Sequence, residues 1–269
     1  MTNRTSVESK VITPSPRGGQ GEGAAWYDLG PDVVAFSTLR RGSVDPGRQA
    51  ARADVAYNGF NQWRSTAGRL RLADRLGIGP DDFVVPHQTH SDHVLRVSLP
   101  GQPDDVDAVF TTEPRLCVCV STADCIPVLL HDTARRAVAA IHAGWRGTVE
   151  HIVEKTLQAM YAQLGTEATD VRAVIGPGIG RDAFEVGDEV YEAFLAAGFP
   201  MERIAERRAK WHIDLSEANR LQLQACGVRD IRMAGICTYT HADRFYSARR
   251  LGIQAGRILN GIMIKDMTI

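Results

Sequence analysis

Between Phe83 and Ala143 the chain crowds six short apolar runs together: FVVPHQT from Phe83, HVLRVS from His93, DAVFTT from Asp107, LCVCVST from Leu116, IPVLLHD from Ile126 and AVAAIHA from Ala137. A parallel pair needs a crossover of a dozen or more residues, usually a helix, and the gaps between these runs are far shorter. The strands therefore return as hairpins, and the sheets they build are largely antiparallel. Around this block the pattern predicts a strand at Asp32–Thr38 and a helix from Gln49 to Leu76 with Leu70, Leu72 and Leu76 on its apolar face. A helix over Gly147–Leu164 is N-capped by Thr148, a strand starts at Val171, and another helix covers Val186–Ala197. Asp214, three residues before Glu217, forms a capping box for a helix reaching Cys226, and strands at Ile231–Thr238 and Arg257–Ile264 follow. Regular βαβ alternation is absent, so the class is α+β: mixed, largely antiparallel sheets with flanking helices.

The hydrophobic set makes up 44% of residues and charged residues 23%, enough for a sizeable core. Lys and Arg number 31 against 32 Asp and Glu, so no global field draws the chain to nucleic acid or to an anionic membrane surface. The most apolar stretch, Leu116–Leu130, carries Asp124 in its middle and is too short to span a bilayer. Residues 1–24 are polar and rich in Pro, Gly and Ser, which predicts a disordered tail before a single catalytic domain over 25–269. The start of the chain lacks the apolar segment of a secretory signal, which points to the cytoplasm, where five cysteines, an odd number, make no disulfide framework. Each is then a core residue, a ligand or a nucleophile.

Three contexts carry potential chemistry: HQTH at His87–His90, TADCIP around Cys125, and HAGWRGT from His142. His90, Cys125 and His142 each sit at or just past an apolar run, where strand ends converge. Two imidazoles and a thiolate with a fourth position open match catalytic zinc. Their spacing matches no compact metal motif, and the bland alternative keeps the histidines as core or surface groups and Cys125 as a small buried residue. In GWRGT, Arg146 and the N–H groups of a helix start suit a phosphate or carboxylate, with Trp145 either stacking on a ligand or capping the core. IGPGIG at Ile175–Gly180 lacks the Lys-Ser/Thr ending of a phosphate loop and reads as a tight turn.

Taken together, QTH at Gln88–His90, TADCIPVLL at Thr122–Leu130, AAIHAGWRGT at Ala139–Thr148, IGPGIG followed by FEVGDEV, Asp214-Leu215 with Asn219, and CTY followed by FYSARR at Cys237–Arg250 resemble the YfiH/laccase-domain family, also called the peptidoglycan editing factor family. The resemblance implies an α+β sandwich related to cysteine-dependent toxin deamidases. It also implies a zinc-dependent purine nucleoside phosphorylase acting on adenosine, inosine and S-methyl-5'-thioadenosine, with adenosine deaminase activity. Carried over motif by motif, the zinc ligands fall on His90, Cys125 and His142, and these with Arg146 form the catalytic set. The chain departs from the family at Ser91, where Gly is usual, and at Asp182 and Ala183, which replace a cysteine pair. The N-terminal family pattern is eroded to LRRGSVDPG and YNGFN; Arg40 aligns with the family arginine, and its asparagine has no single counterpart between Asn58 and Asn61.

Purine nucleosides and inorganic phosphate are therefore the expected partners, with Arg40, Trp145, Arg249 and Arg250 as substrate or phosphate contacts, in a monomer or homodimer. Two other chemistries compete. An older family label, copper-dependent polyphenol oxidase, meets the absence of any His-x-His pair for a three-copper cluster, although one Cu(II) fits the same three ligands. A cysteine hydrolase, with Cys125 as nucleophile and His90 or His142 as base, is the second, and acts in cell-wall precursor editing in this reading.

Overall fold

A computed structural model describes residues 10–11, 24–40 and 66–266. Of the expected tail it describes Lys10–Val11 and Ala24; the rest of that tail, and the expected helical stretch from Gln49 to Ser65 with Asn58 and Asn61, lie outside the described residues. In chain order the first elements are β1 (Lys10–Val11), β2 (Ala24–Tyr27), β3 (Val33–Thr38), α1 (Thr66–Leu76), β4 (Phe83–Val84), β5 (Val94–Arg96), β6 (Ala108–Thr111), β7 (Cys117–Thr122), β8 (Ile126–Asp132) and β9 (Ala137–Ala143). There follow α2 (Trp145–Val149), α3 (Ile152–Leu164), β10 (Val171–Ile175), β11 (Glu185–Val186), α4 (Asp188–Ala196), α5 (Met201–Ile204), β12 (Ala205–Arg207) and β13 (Trp211–Ile213). The last are α6 (Leu215–Ala225), β14 (Asp230–Met233), α7 (Ala248–Leu251) and β15 (Ile258–Ile264).

Two sheets form the body: a seven-stranded one in the order β1-β14-β10-β8-β9-β6-β5 and a five-stranded one in the order β2-β3-β15-β7-β4. Antiparallel pairing dominates, but of the six crowded runs only β8 and β9 form the expected sequential hairpin: β5 and β6 pair in parallel across a short loop, and β4 with β7, and β14 with β10 and β1, are parallel too. The expected α+β class with mixed, largely antiparallel sheets and flanking helices is what the chain forms.

The two-residue period of β9 explains the layering. Ala137, Ala139, Ile141 and Ala143 join the core shared with α3, α4 and α6, whereas Val138 and Ala140 join the core between the two sheets. Both faces of β8 and β9 are covered, so every residue of both strands is buried. A third apolar cluster lies on the outer face of the five-stranded sheet, where Leu72 and Ala73 of α1 meet Phe36, Phe83, Cys117, Cys119 and Met263. The order of layers is thus helices, seven strands, five strands, helix.

The helix expected over Gly147–Leu164 is two helices. His151 takes a left-handed backbone (φ 59°) and caps α3, while Thr148 is a buried residue inside α2 rather than an N-cap. The apolar face of α3 then runs through Ile152, Val153, Thr156, Leu157 and Met160 and ends at Gly165, with φ 70°. Asp214 does cap α6, accepting the Glu217 backbone N–H at 2.9 Å. The small sheet β11-β13-β12 carries no strong alternation in the sequence and was not expected.

Candidate metal centre

His142 is the next residue on the face of β9 that carries Val138 and Ala140, so its ring enters the space between the sheets at the strand end. Cys125 arrives from the other direction. Strand β7 belongs to the five-stranded sheet and β8 to the seven-stranded one, and the chain crosses between them at Ala123-Asp124-Cys125. Because Pro127 pairs with His142 and Ile126 with Ala143, the register brings Cys125 beside the turn that leaves β9. His90 comes from the loop after β4 and has a left-handed backbone (φ 64°). One ligand atom from each of His90, Cys125 and His142 lies within 4.8 Å of the others. The Cys125 Sγ to His90 Nε2 distance is 3.8 Å, and the two imidazole rings meet edge to face with centroids 4.9 Å apart.

Asp107, which the sequence reading missed, organises this convergence. It is fully buried at the start of β6. Its carboxylate accepts the backbone N–H groups of Thr89, His90 and Ser91 at 2.8–3.1 Å and the Ser91 hydroxyl at 2.7 Å. It also lies 2.6 Å from His142 Nδ1. Thus one carboxylate shapes the His90 loop and fixes the His142 ring with Nε2 turned to the site, the carboxylate–histidine arrangement that supports metal ligands. The hydroxyl of Ser91, the residue standing in place of the family glycine, adds to this clamp. Gln88 holds the same loop to β7: its Nε2 donates to the Ser121 carbonyl at 2.9 Å and its Oε1 accepts the Ser121 N–H at 2.7 Å.

Asp124 performs the matching task beside Cys125. Its backbone is left-handed (φ 94°), and its carboxylate accepts the Thr238 hydroxyl and the Arg249 backbone N–H, both at 2.7 Å. Asn219 acts one layer out, where its Nδ2 donates to Thr148 Oγ1 and to the Leu215 carbonyl, joining α6 to α2 below the GWRGT turn.

Charge follows geometry. Burial alone raises the Cys125 thiol, but His142 and His90 outweigh it and bring the pKa down to about 6. Burial lowers His142, but Cys125 and Asp107 outweigh it and push the pKa up to about 9. For Asp107 burial acts upward, and His142 and Ser91 bring the carboxyl down to about 2.

The donor set fits a soft or borderline metal. A cluster of one sulfur and two imidazole nitrogens, backed by a buried carboxylate, is a metal-site chemistry. Gly144 leaves the necessary space: a Cβ there would stand 3.0 Å from His90 Cδ2 and 3.2 Å from Cys125 Sγ. Tetrahedral bonds of about 2.0–2.3 Å set ligand atoms roughly 3.5 Å apart. The three ligand atoms, all within 4.8 Å of one another and with Cys125 Sγ 3.8 Å from His90 Nε2, are near that spacing.

The three donors open into a cavity of about 230 Å³ that is also lined by His87, Gln88, Gln102, Ser121, Ala248, Ile253 and Arg257. Arg40, Trp145, Arg146, Arg249 and Arg250 are not among its lining residues. Arg146 lies over the Trp145 ring, 4.4 Å from its centroid, and Trp145 packs against the helix-side core. Arg249 donates to the carbonyls of Ala183 and Glu185, Arg250 lies over Tyr239, and Arg40 donates to the Ala242 carbonyl and lies over Tyr246. The five-residue α2 offers no extended helix terminus at GWRGT. Arg257 and Gln102 reach the cavity instead. Neither sits in a recognisable motif, and only the final strand's pairing reveals where Arg257 lies.

All five cysteines are free thiols. Among the described residues no helix is long and apolar enough to cross a membrane.

Residues 35–265 match the family described as multi-copper polyphenol oxidoreductase laccase. A purine nucleoside phosphorylase of Bacteroides thetaiotaomicron is 46% identical over 248 residues, covering 87% of this chain and 92% of that protein. A protein from an unknown prokaryotic organism, named adenosine deaminase RL5, is 40% identical over 249 residues, covering 87% of this chain and 94% of that protein. Among solved structures, YlmD from Geobacillus stearothermophilus superposes with a TM-score of 0.82 at 25% identity, covering 95% of this chain and 100% of that one. The chain belongs to the multi-copper polyphenol oxidoreductase laccase family, the family that includes YfiH.

Proposed function

We propose that this family member is a zinc-dependent enzyme of purine nucleosides, which cleaves adenosine, inosine and S-methyl-5'-thioadenosine with inorganic phosphate and also deaminates adenosine. The observation that carries the reading is the convergence of His90, Cys125 and His142 on the wall of one cavity, with Asp107 behind them. Relatives named purine nucleoside phosphorylase and adenosine deaminase supply the substrate class. Residues 25–269 act as one catalytic domain in this reading.

His90, Cys125 and His142 hold the ion. When bound, zinc supplies a Lewis acid at the cavity end, able to polarise a substrate atom or activate water. Asp107 keeps the proton of His142 on Nδ1, leaving Nε2 as a donor of electrons, and places the His90 loop by its three N–H contacts. Gln88 fixes the cavity wall against β7. In phosphorolysis a phosphate oxygen bonds to the ribose anomeric carbon while the bond to the purine nitrogen breaks and the base leaves with that electron pair; in deamination the oxygen of water bonds to the purine carbon, the carbon–nitrogen bond breaks, and the amino group takes up a proton from that water and leaves as ammonia.

A second reading has its own support. The order Asp107, His142, Cys125, with the thiol brought down to about 6, is also an arrangement for an activated cysteine nucleophile. A multicopper oxidase lacks support because the chain has no His-x-His pair, so copper at this site is a single ion.

One experiment separates these readings. Metal content is measured on purified protein, and base release from the three nucleosides is followed with and without phosphate and chelator. One zinc per chain, and phosphate-dependent turnover lost on chelation and restored by zinc, are expected. Turnover indifferent to chelation favours the cysteine reading, and no turnover at full zinc occupancy refutes the enzyme assignment.

A further inference from the structure

We infer that Arg257 is the anion-binding residue of this site, holding the phosphate co-substrate in the cavity that it shares with the His90–Cys125–His142 cluster. The inference rests on the phosphorolysis reading for the identity of the anion. It does not rest on it for the existence of the site.

Among the described residues that line the cavity, Arg257 is the one Arg or Lys. Its position is set by the sheet. Ile258 pairs with Thr122 in the antiparallel β15–β7 ladder, which puts Arg257 beside Ala123, two residues before Cys125. Its guanidinium is oriented by its own loop: one terminal nitrogen donates to the carbonyls of Ala255 and Gly256 at 2.6 and 3.2 Å, and the other to Ile253 at 3.2 Å. A guanidinium braced in this way brings a positioned positive charge with N–H donors to an oxyanion.

The electrostatic setting agrees. Burial works against the Arg257 charge, and Cys125 and Asp124 work for it, so cation and cluster share one partly desolvated space. Phosphate carries its charge through the reaction, and a cavity lined by both a cation and metal-binding donors accepts it. By contrast Arg146, Arg249 and Arg250 do not line the cavity. The nearby rim supplies Ala248 and Ile253, and Ile253 is 74% exposed, an apolar surface for the flat base beside the anion.

The test uses zinc-loaded protein with Arg257→Gln and Arg257→Lys, and measures phosphate binding by calorimetric titration beside the phosphate KM and nucleoside KM. Loss of one charged hydrogen-bonding pair corresponds to about tenfold or more in affinity. The expectation is therefore at least a tenfold rise in phosphate Kd and KM for the Gln variant, exceeding any rise in nucleoside KM, with partial recovery in the Lys variant. Unchanged phosphate Kd in either folded variant overturns the assignment. Should Arg257→Gln fail to fold, Arg257→Lys decides alone, since it keeps the charge but loses the fork: a phosphate Kd within twofold of the parent overturns the inference, and a larger rise supports it. If the parent protein binds phosphate through Arg257 yet shows no phosphorolysis, the site stands and the proposed reaction falls.

Discussion

Replacing Asp107 by Asn tests whether one carboxylate organises the centre. The substitution keeps shape and volume but converts one acceptor oxygen to a donor. One oxygen accepts from Thr89 N, Ser91 N and Ser91 Oγ, and the other from His90 N and His142 Nδ1. Whichever way the amide turns, at least one buried N–H loses its acceptor, at about 1–3 kcal/mol each. The same change removes a charge whose pKa of about 2, against an ordinary 3.8, represents about 2 kcal/mol of stability. Since the folded-state value is depressed, that stability is present above the unfolded pKa and is lost as pH falls from about 4 toward 2. The metal-free parent should thus lose about 2 kcal/mol of stability on acidification through that window, and the variant should start less stable and show a flatter acid limb. Metal affinity should fall about 10–100-fold, because the His142 ring loses its fixed tautomer. Chelator competition for zinc gives the affinity, and denaturant titration across pH gives the stability. A variant that binds zinc within twofold of the parent and keeps the parent's acid limb would refute the role given to Asp107.

Three further outcomes are expected. In metal-free protein Cys125 should be alkylated with an apparent pKa near 6, while Cys226, pushed up to about 11 by burial and by Glu154, reacts slowly and the buried Cys117 and Cys119 stay protected; adding zinc should suppress Cys125 alone. Parallel reaction of Cys125 and Cys226 at all pH values contradicts the charge pattern. Gly144→Ala should cut zinc affinity at least tenfold by intruding between His90 and Cys125 with little change in melting temperature; unchanged affinity in chelator competition speaks against the cradle. Asn219→Ala should lower stability by about 1–3 kcal/mol, since it strips buried bonds to Thr148 and Leu215; a denaturation midpoint equal to the parent's shows that α6 and α2 do not depend on it.

The parts of this architecture that were legible in the sequence are those written in local pattern. β8 spans Ile126–Asp132 as the apolar run indicates, and β9 follows AVAAIHA to the residue, because strands covered on both faces show as unbroken hydrophobic runs. Their places at run ends made a convergence of His90, Cys125 and His142 possible but left them as core or surface groups in the alternative; it was the resemblance in the surrounding motifs that singled them out. Asp107 was hidden because an acid opening an apolar strand looks like a turn residue, and its side-chain partners, Thr89, His90, Ser91 and His142, lie up to 35 residues away. The break at His151 was hidden because a left-handed residue leaves no mark on helical periodicity. Arg257 was hidden for a topological reason: its neighbour Ala123 is found only once β15 is known to pair with β7.

The order of β15 in its sheet also sets a timetable for synthesis. It lies between β3 and β7, and the hydroxyl of Ser37 meets the side chain of Asn260 across 223 residues of chain. At about 5–20 residues per second a ribosome takes roughly 10–45 s to cover that interval. Once made, the facing edges of β3 and β7 each stay unzipped until β15 arrives, and Val118 and Val120 lack their neighbours Ile258 and Ile262 in the core until then. The nascent chain is therefore a client for chaperone protection late into its making, and Arg257 reaches the cavity in the same step that seals the sheet.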